Sequence, residues 1–387
     1  MPLIENFFAP CPRGLEAVLA EELAALGASY ISVTDGGVLF AGPWDLCYRA
    51  NLTSRIASRV LWRVGHAGYR SEEDIYRTAL KLDWPRWFDV GRTLRVNLSA
   101  HRCPLRSLDF ATLRIKDAIC DRFRAAGGDR PTIDTEHPEV RVHAFLTADQ
   151  ITLYLDTSGE PLFKRGYRLA QGEAPLRENL AAGILRLAGW SADESLLDPM
   201  CGSGTFLIEA AQIALAIAPG ARRPFGFENL NNFDASLWRG LREAAVAGER
   251  PATPLPLFGS DLYGEALKNA RANVAAAGLE TVIQLKQANV LETAAPADSG
   301  VLVTNPPYGV RLGHEDELAA FYPELGNTLK QRYSGWRAYI LTSDMTLPKR
   351  IRLAASRRTP LYNGALECRL FEFKLVAGSM RKKKDVA

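Results

Sequence analysis

The sequence predicts two α/β parts: a doubly wound domain with a largely parallel, seven-stranded sheet in the C-terminal half, and a smaller α+β region before it. Three observations carry this. From residue 176 onward, apolar runs of strand length alternate with helical periodicities. A glycine-rich turn, Asp198-Pro199-Met200-Cys201-Gly202-Ser203-Gly204-Thr205, joins the first of those strands to its helix. Upstream, short strands alternate with helices and lack such a turn.

Composition sets the class. Of 387 residues, 47% are hydrophobic and 24% charged, as in a water-soluble globular protein. No apolar run approaches the ~20 residues needed to cross a bilayer. Met1-Pro2-Leu3-Ile4-Glu5 lacks the basic and apolar regions of a secretory leader. The six cysteines (Cys11, Cys47, Cys103, Cys120, Cys201 and Cys368) form no Cys-x-x-Cys pair, and the five histidines show no ligand spacing. The expectation is a cytoplasmic protein with free thiols and no metal site. Charge is uneven. Between Arg49 and Arg130 there are 17 Lys/Arg against 9 Asp/Glu, a surplus of +8 that leaves −5 for the rest of a chain totalling +3. A local positive surplus suits an anionic partner, although it also serves solubility. Arg381-Lys382-Lys383-Lys384 forms a basic tail.

In chain order, a short strand is expected at 7–9, then a turn at Pro12-Arg13-Gly14 and a helix over 15–26 ending at Gly27. Strands at 30–33 and 38–40 are joined through Asp35-Gly36-Gly37, a hairpin signal. A helix over 44–57 follows. The next unit opens with Ser71-Glu72-Glu73-Asp74, whose helix runs to Leu82 and stops at Trp84-Pro85. A strand at 93–99, a helix at 108–123 with Arg114 and Lys116 on its polar positions, and strands at 140–146 and 151–155 complete it. These readings divide the chain into an N-terminal α+β part (1–45), a second α+β unit (46–158), a linker (159–175) and the large domain with its basic tail (176–387). The linker contains Lys164-Arg165-Gly166-Tyr167-Arg168. Three cations around an aromatic ring suit a nucleic-acid backbone and a base, and linkers are also often basic.

The large domain opens with a helix at 176–187 and a strand at 195–197. Gly202 and Gly204 allow close backbone approach to a ligand. The spacing is not Gly-x-Gly-x-x-Gly, no Gly-Lys-Ser/Thr follows, and Asp198 would repel a pyrophosphate. A partly cationic ligand fits better, which favours S-adenosylmethionine over NAD or ATP. The helix at 206–217 leads into residues 218–256, rich in Pro, Gly and Arg, with Phe225, Phe227, Phe233 and Trp238. They are either an insertion beside the site or a packed surface excursion. A strand at 257–259 ends in Ser260-Asp261-Leu262, where an acid can hold both ribose hydroxyls of a nucleoside or cap the next helix. The strand at 282–286 precedes Asn289-Val290, a position that meets an adenine amine in such sheets. Helices at 318–333 and near 347, a strand at 338–342 and a final hairpin about Asn363-Gly364 bring the sheet to about seven strands.

The strand at 300–304 carries Asn305-Pro306-Pro307-Tyr308. The prolines stop the strand and stiffen an extended loop. Asn305 offers a side-chain carbonyl, Pro306 a backbone carbonyl, and Tyr308 an aromatic face. Two acceptors and a flat ring suit a planar exocyclic amine; the plainer reading is a proline turn.

The glycine-rich loop, Gly259-Ser260-Asp261 and Asn305-Pro306-Pro307-Tyr308-Gly309 resemble the Rossmann-like class I S-adenosylmethionine-dependent methyltransferases that act on amino groups. Pro12-Arg13-Gly14-Leu15-Glu16 and Arg165-Gly166-Tyr167-Arg168 resemble the THUMP-containing RNA methyltransferases, and the resemblance covers nearly the whole chain. It implies a ferredoxin-like part and a THUMP RNA-binding domain upstream, and the N2 amine of a guanosine in 23S rRNA as the methyl acceptor, in free RNA or an assembling large subunit. Asn305 and Pro306 would accept from the amine, with Pro307 shaping the loop and Tyr308 stacking on an extruded base. Asp198, Pro199, Met200, Cys201, Gly202, Gly204 and Thr205 would line the methionine end of the cofactor, Asp261 and Leu262 the ribose, Asn289 and Val290 the adenine, with Asn179 closing over it. Arg114, Lys116, Lys164, Arg165 and Arg168 would meet RNA. Two departures stand out: Asn289 replaces the family's usual Asp, and the sequence carries one methyltransferase where some members carry two. Alternatives are an adenine-N6 DNA methyltransferase, a tRNA guanine-N2 methyltransferase, a protein-glutamine methyltransferase, and a non-catalytic RNA-binding assembly factor. Oligomeric state stays open, with a monomer as the simplest case.

Overall fold

A computed structural model describes residues 3–169, 176–306 and 315–376, with side chains of the last stretch from 320 onward. The chain divides into two units: residues 1–11, 19–162 and 219–247 form the first, and residues 12–18, 163–218 and 248–387 the second.

In the first unit, β1 (Glu5–Pro10), α1 (Glu16–Ala25, whose first turn groups with the second unit), β2 (Ser29–Thr34), β3 (Gly37–Gly42) and α2 (Trp44–Thr53) come first. They are followed by β4 (Leu61–Gly68), α3 (Glu72–Leu80), α4 (Trp84–Trp87), β5 (Leu94–Ala100), α5 (Leu108–Gly127), β6 (Val140–Leu146) and β7 (Gln150–Asp156). The seven strands make one sheet, β2-β3-β1-β4-β7-β6-β5. Phe7 and Phe8 of β1 pair antiparallel with Trp62 and Leu61 of β4. That pairing merges the two upstream stretches, which the sequence reads separately, into one sheet. The strand β4 is absent from the sequence reading, because Gly65, His66 and Gly68 interrupt its apolar pattern.

Local chemistry explains the helix ends. Ser71 and Asp74 form a reciprocal capping box at α3. Ser107 accepts from the Phe110 N–H at α5, which ends at Gly128 with φ +100°. Pro85 does not merely stop a helix; it sits in the first turn of α4, where proline lacks no needed donor.

Residues 219–247 belong to the first unit. They hold a 3-10 turn (226–229), and Tyr48 packs on Phe227 at 4.6 Å and on Trp238 at 6.0 Å. The Tyr48 hydroxyl accepts from the Asp234 N–H at 2.9 Å. The stretch is packed within the first unit.

The second unit holds α6 (Glu178–Leu187), β8 (Leu196–Asp198) and α7 (Thr205–Ala214). After α8 (Ala235–Ala247) of the first unit, it continues with β9 (Leu257–Asp261), α9 (Gly264–Ala276), β10 (Ile283–Gln287), β11 (Gly300–Thr304), α10 (Glu315–Arg332), β12 (Trp336–Thr342), α11 (Leu347–Arg350), β13 (Arg357–Asn363) and β14 (Leu366–Lys374). The sheet runs β10-β9-β8-β11-β12-β14-β13, parallel through β12, with an antiparallel β13–β14 hairpin at its edge. Strand order reverses direction between β8 and β11, the switch point at which such sheets bind ligands. One face of the core comprises Leu197, Val290, Leu302, Leu329, Trp336 and Phe371, all at most 5% exposed. Among the described residues, no helix is long and apolar enough to cross a membrane.

Candidate active site

Three neighbouring strands, β9, β8 and β11, end at the switch point. Register pairs Asp198 with Gly259 and Leu197 with both Phe258 and Leu302. Asp261 on β9 therefore stands two residues beyond the level of Asp198, and so does Asn305 after β11. Alternation along β9 and the loop after β11 gives this arrangement directly.

Asp198 is 2% exposed. Its Oδ1 accepts from the Met200 N–H at 3.3 Å. Burial pushes the carboxyl up from 3.8 to about 8, and the nearby Asp261 charge adds to the rise. Asp261 accepts from the Gly202 N–H at 2.9 Å and from the Tyr263 N–H at 3.0 Å, one bond to each oxygen. Both oxygens keep a second lone pair, enough for two hydroxyl donors. Helix capping is thus only part of this carboxylate's capacity.

Backbone bonds shape the turn: Cys201 N–H to Ser260 O at 2.9 Å and Gly204 N–H to Cys201 O at 2.8 Å. Gly202 (φ +53°) and Gly204 (φ +79°) take left-handed conformations that side chains disfavour. A Cβ on Gly202 would meet nothing within 4 Å, so the turn is open there for a ligand. Thr205 starts α7. The Pro199 carbonyl accepts from Ser260 Oγ at 3.4 Å. Burial raises the Cys201 thiol well above its usual value, with Asp198 and Asp261 adding to the effect, so it is a packing residue and not a nucleophile.

Asn305 Oδ1 is buried and has no hydrogen-bond partner among the described residues. A buried acceptor left unmet costs about 1–3 kcal/mol. Such an atom fits an incoming N–H donor. Pro306 is buried; Pro307 and Tyr308 lie outside the described residues.

The remaining expected cofactor residues are mixed. Asn289 Oδ1 accepts from the Leu291 N–H at 3.0 Å and its Nδ2 donates to Glu292 at 3.2 Å, so it shapes the turn after β10. Val290 is 4% exposed in the core with Leu197 and Leu302, which leaves only its backbone for a ligand. Leu262 is half exposed, and Asn179 is fully buried on α6.

The basic strap at 163–169 differs most from its sequence reading. Arg165 Nε reaches Glu209 Oε1 at 3.4 Å, with side chains 2% and 0% exposed. Tyr167 donates to the same oxygen at 3.2 Å. Arg168 donates to Glu178 Oε1 at 2.8 Å, the Leu176 carbonyl at 2.8 Å, Thr205 Oγ1 at 3.1 Å and Ser203 Oγ at 3.3 Å. The Leu169 N–H donates to Asn273 Oδ1 at 2.9 Å, and Asn273 Nδ2 donates to the Ser203 carbonyl at 3.0 Å. The charges of Arg165 and Arg168 are thus matched inside the domain. Arg168 pins the glycine turn and Arg165 is held against α7, both in internal ion pairs; Lys164 is exposed. Ser203 and Asn273 were not singled out in the sequence, where only the adjoining glycines carry a signal. In the first unit, Arg114 bonds Glu73 at 2.6 Å and lies 4.0 Å over the Tyr76 ring, and Lys116 pairs with Asp117 at 2.8 Å.

Comparison with known proteins agrees with this geometry. The description "RMKL-like, methyltransferase domain" matches residues 165–372, "THUMP domain" matches 69–156, and "RlmL ferredoxin-like domain" matches 6–61. A protein of Synechocystis sp. carrying an RNA methyltransferase name is 40% identical over 370 residues, 95% of this chain and 96% of that one. "Ribosomal RNA large subunit methyltransferase K/L" of Methylococcus capsulatus is 42% identical over 97% of this chain, which spans only 52% of that relative. Among solved structures, the methyltransferase SMU.472 complexed with SAH is 33% identical, covers 98% of this chain and 100% of its own, and superimposes with a TM-score of 0.89. One from Listeria monocytogenes, named as an N6-adenine-specific DNA methylase, is 31% identical, with 96% and 97% covered and a TM-score of 0.87. S-adenosylmethionine is the cofactor that the SAH-bound neighbour indicates, and the open turn beside the Asp261 carboxylate suits it. With a catalytic domain matched over more than half its length and a THUMP domain before it, this chain belongs to the RMKL-like family of S-adenosylmethionine-dependent methyltransferases.

Proposed function

We propose that the protein methylates the exocyclic N2 amine of a guanosine in 23S rRNA, acting in the cytoplasm on RNA or an assembling large subunit. The observation that carries the reading is the buried Asn305 Oδ1 at the end of β11, unpartnered among the described residues, beside the strands ending in Asp198 and Asp261. The bound cofactor supplies an electrophilic methyl group on a sulfonium. Asp261 offers its spare lone pairs to the ribose hydroxyls, and Asp198 meets the ammonium of the methionine end. Gly202, Gly204, Met200 and Thr205 line that end, and the Asn289-Val290 backbone lies at the adenine. Asn305 Oδ1 and the Pro306 carbonyl accept the two N–H bonds of the target amine, aiming its lone pair. The gain is positioning, since this transfer needs no strong base. Tyr308 stacks on the extruded base.

The rRNA assignment draws support from the relatives named as large-subunit rRNA methyltransferases and from the +8 surplus between Arg49 and Arg130. Among the described residues, Arg102 and Arg106 make no ion pair, and Phe110, in the first turn of the helix that follows them, is 50% exposed. Unmatched cations near an exposed ring suit a phosphate backbone with unstacked bases. A second reading, adenine-N6 methylation of DNA, is favoured by the name of the Listeria neighbour. Labelled-methyl transfer to protein-free 23S rRNA, 16S rRNA, tRNA and DNA, followed by nucleoside analysis, tests both. N2-methylguanosine in 23S rRNA is expected; N6-methyladenine in DNA would replace this reading with the second.

A further inference from the structure

A groove of about 630 Å³ lies within the second unit, between the strap, the start of α6 and the β13–β14 turn. Phe163, Lys164, Arg168, Arg177, Asn363 and Gly364 are among the residues lining it. Of the arginines there, Arg165 and Arg168 are matched by buried carboxylates. Arg177 is not. It is exposed, precedes the first turn of α6, and makes no ion pair among the described residues. Its guanidinium lies 4.9 Å over the Phe163 ring, which holds the charge in place without neutralising it. The facing turn is close: a Cβ on Gly364 would sit 3.6 Å from Arg177 Nη2. Glu178, the first residue of α6, also lines the groove, and its carboxyl is held by Arg168. On the hairpin arm beside the turn, Arg13 lies 4.4 Å over Tyr362, a second guanidinium mounted on an aromatic ring. Leu169, 73% exposed, supplies an apolar rim.

Arg168 connects this groove to the reaction site. It lines the groove, and its Nη atoms hydrogen-bond Ser203 and Thr205 of the glycine turn. An occupant therefore lies one side chain from the cofactor loop. Unmatched cations on rings and an apolar rim match a strand that alternates phosphates with flat bases.

We propose that this groove binds a phosphodiester of single-stranded RNA next to the target nucleotide, with Arg177 as the main phosphate contact. The inference rests on the RNA reading above. It is tested with the full chain carrying Arg177→Gln or Arg177→Lys, by titrating 23S rRNA fragments at several salt concentrations. Cofactor affinity and melting temperature serve as controls and should stay at wild-type values, because Arg177 is exposed. Removing one phosphate contact should lower the log–log salt slope by about 0.7 and weaken affinity at 0.1 M salt by about fivefold. Arg177→Lys, which keeps the charge, should retain the slope. If wild type methylates RNA while Arg177→Gln keeps both affinity and slope, the groove is not an RNA contact and the RNA reading stands. If wild type neither binds nor methylates any RNA, both fall.

Discussion

Arg168 Nε stands 2.8 Å from Glu178 Oε1, and this pair joins the strap at 163–169 to the first turn of α6. Burial raises the Glu178 carboxyl and Arg168 opposes the rise. Arg168→Met would strand a buried carboxylate and free the glycine turn from the strap. Removing one partner of a buried pair costs roughly 3–5 kcal/mol. The mutant should melt lower, and the deficit should shrink as pH falls and Glu178 takes up a proton. Thermal melts from pH 5 to 8 read this, and a pH-independent deficit would show that the charge pair is not its source. Arg168→Lys should recover part of the loss.

Asp198 gives a pH dependence of the opposite kind to an ordinary ion-paired carboxylate. Its folded-state value, about 8, lies above the 3.8 of the unfolded chain. The folded state therefore holds a proton that the unfolded state has lost, and stability falls as pH rises between those values. Each pH unit crossed takes about 1.4 kcal/mol. Asp198→Asn removes the burden, so the cofactor-free mutant should melt above wild type at pH 8, by on the order of a few kcal/mol, and match it near pH 4. Its cofactor affinity should drop, because the negative charge is gone. Melting curves with and without S-adenosylmethionine measure both; a mutant that melts lower at pH 8 would refute the strained-carboxyl account.

Asp261→Ala should weaken S-adenosylmethionine binding by about 1.5–3 kcal/mol, the range for hydrogen bonds to a charged group. The Gly202 N–H would lose its acceptor in the same step, so part of the loss should appear as a looser turn. Calorimetry decides, and unchanged affinity would leave Asp261 with only its bonds to Gly202 and Tyr263.

Asn305→Ala should abolish methyl transfer and leave cofactor and RNA affinity nearly intact, because the loss falls on aiming the amine. Misplacement by about 1 Å can cost on the order of a hundredfold. Single-turnover methylation with saturating cofactor, beside separate binding titrations, is the measurement. Transfer at the wild-type rate would reduce the loop to a proline turn. Tyr308→Phe should be mild, whereas Tyr308→Ala loses a stacking contact worth about 1–3 kcal/mol.

The C-terminal sheet was legible in the sequence because strand, turn and helix signals there are local: Asp198 to Thr205, Ser260-Asp261 and Asn305-Pro306 each announce themselves within a few residues. The strap was misread for the converse reason. Arg165 and Arg168 look like free cations until Glu209 and Glu178, 44 and 10 residues away, are brought against them. The role of 219–247 was equally hidden, since Tyr48 meets Phe227 and Trp238 only through pairings nearly two hundred residues apart. Hydrophobic periodicity finds elements, but it does not say which distant element an aromatic residue will fill.

The interleaving of the two units bears on synthesis. The first unit's sheet is fully translated by Leu162, yet Phe227 and Trp238, which pack on Tyr48, arrive only with the stretch ending at Ala247. At ribosomal speeds of about 5–20 residues per second, those 85 residues take roughly 4–17 s. During that interval Tyr48 on α2 has Trp44 beside it but neither Phe227 nor Trp238. Folding on the ribosome therefore cannot proceed as one finished domain followed by another.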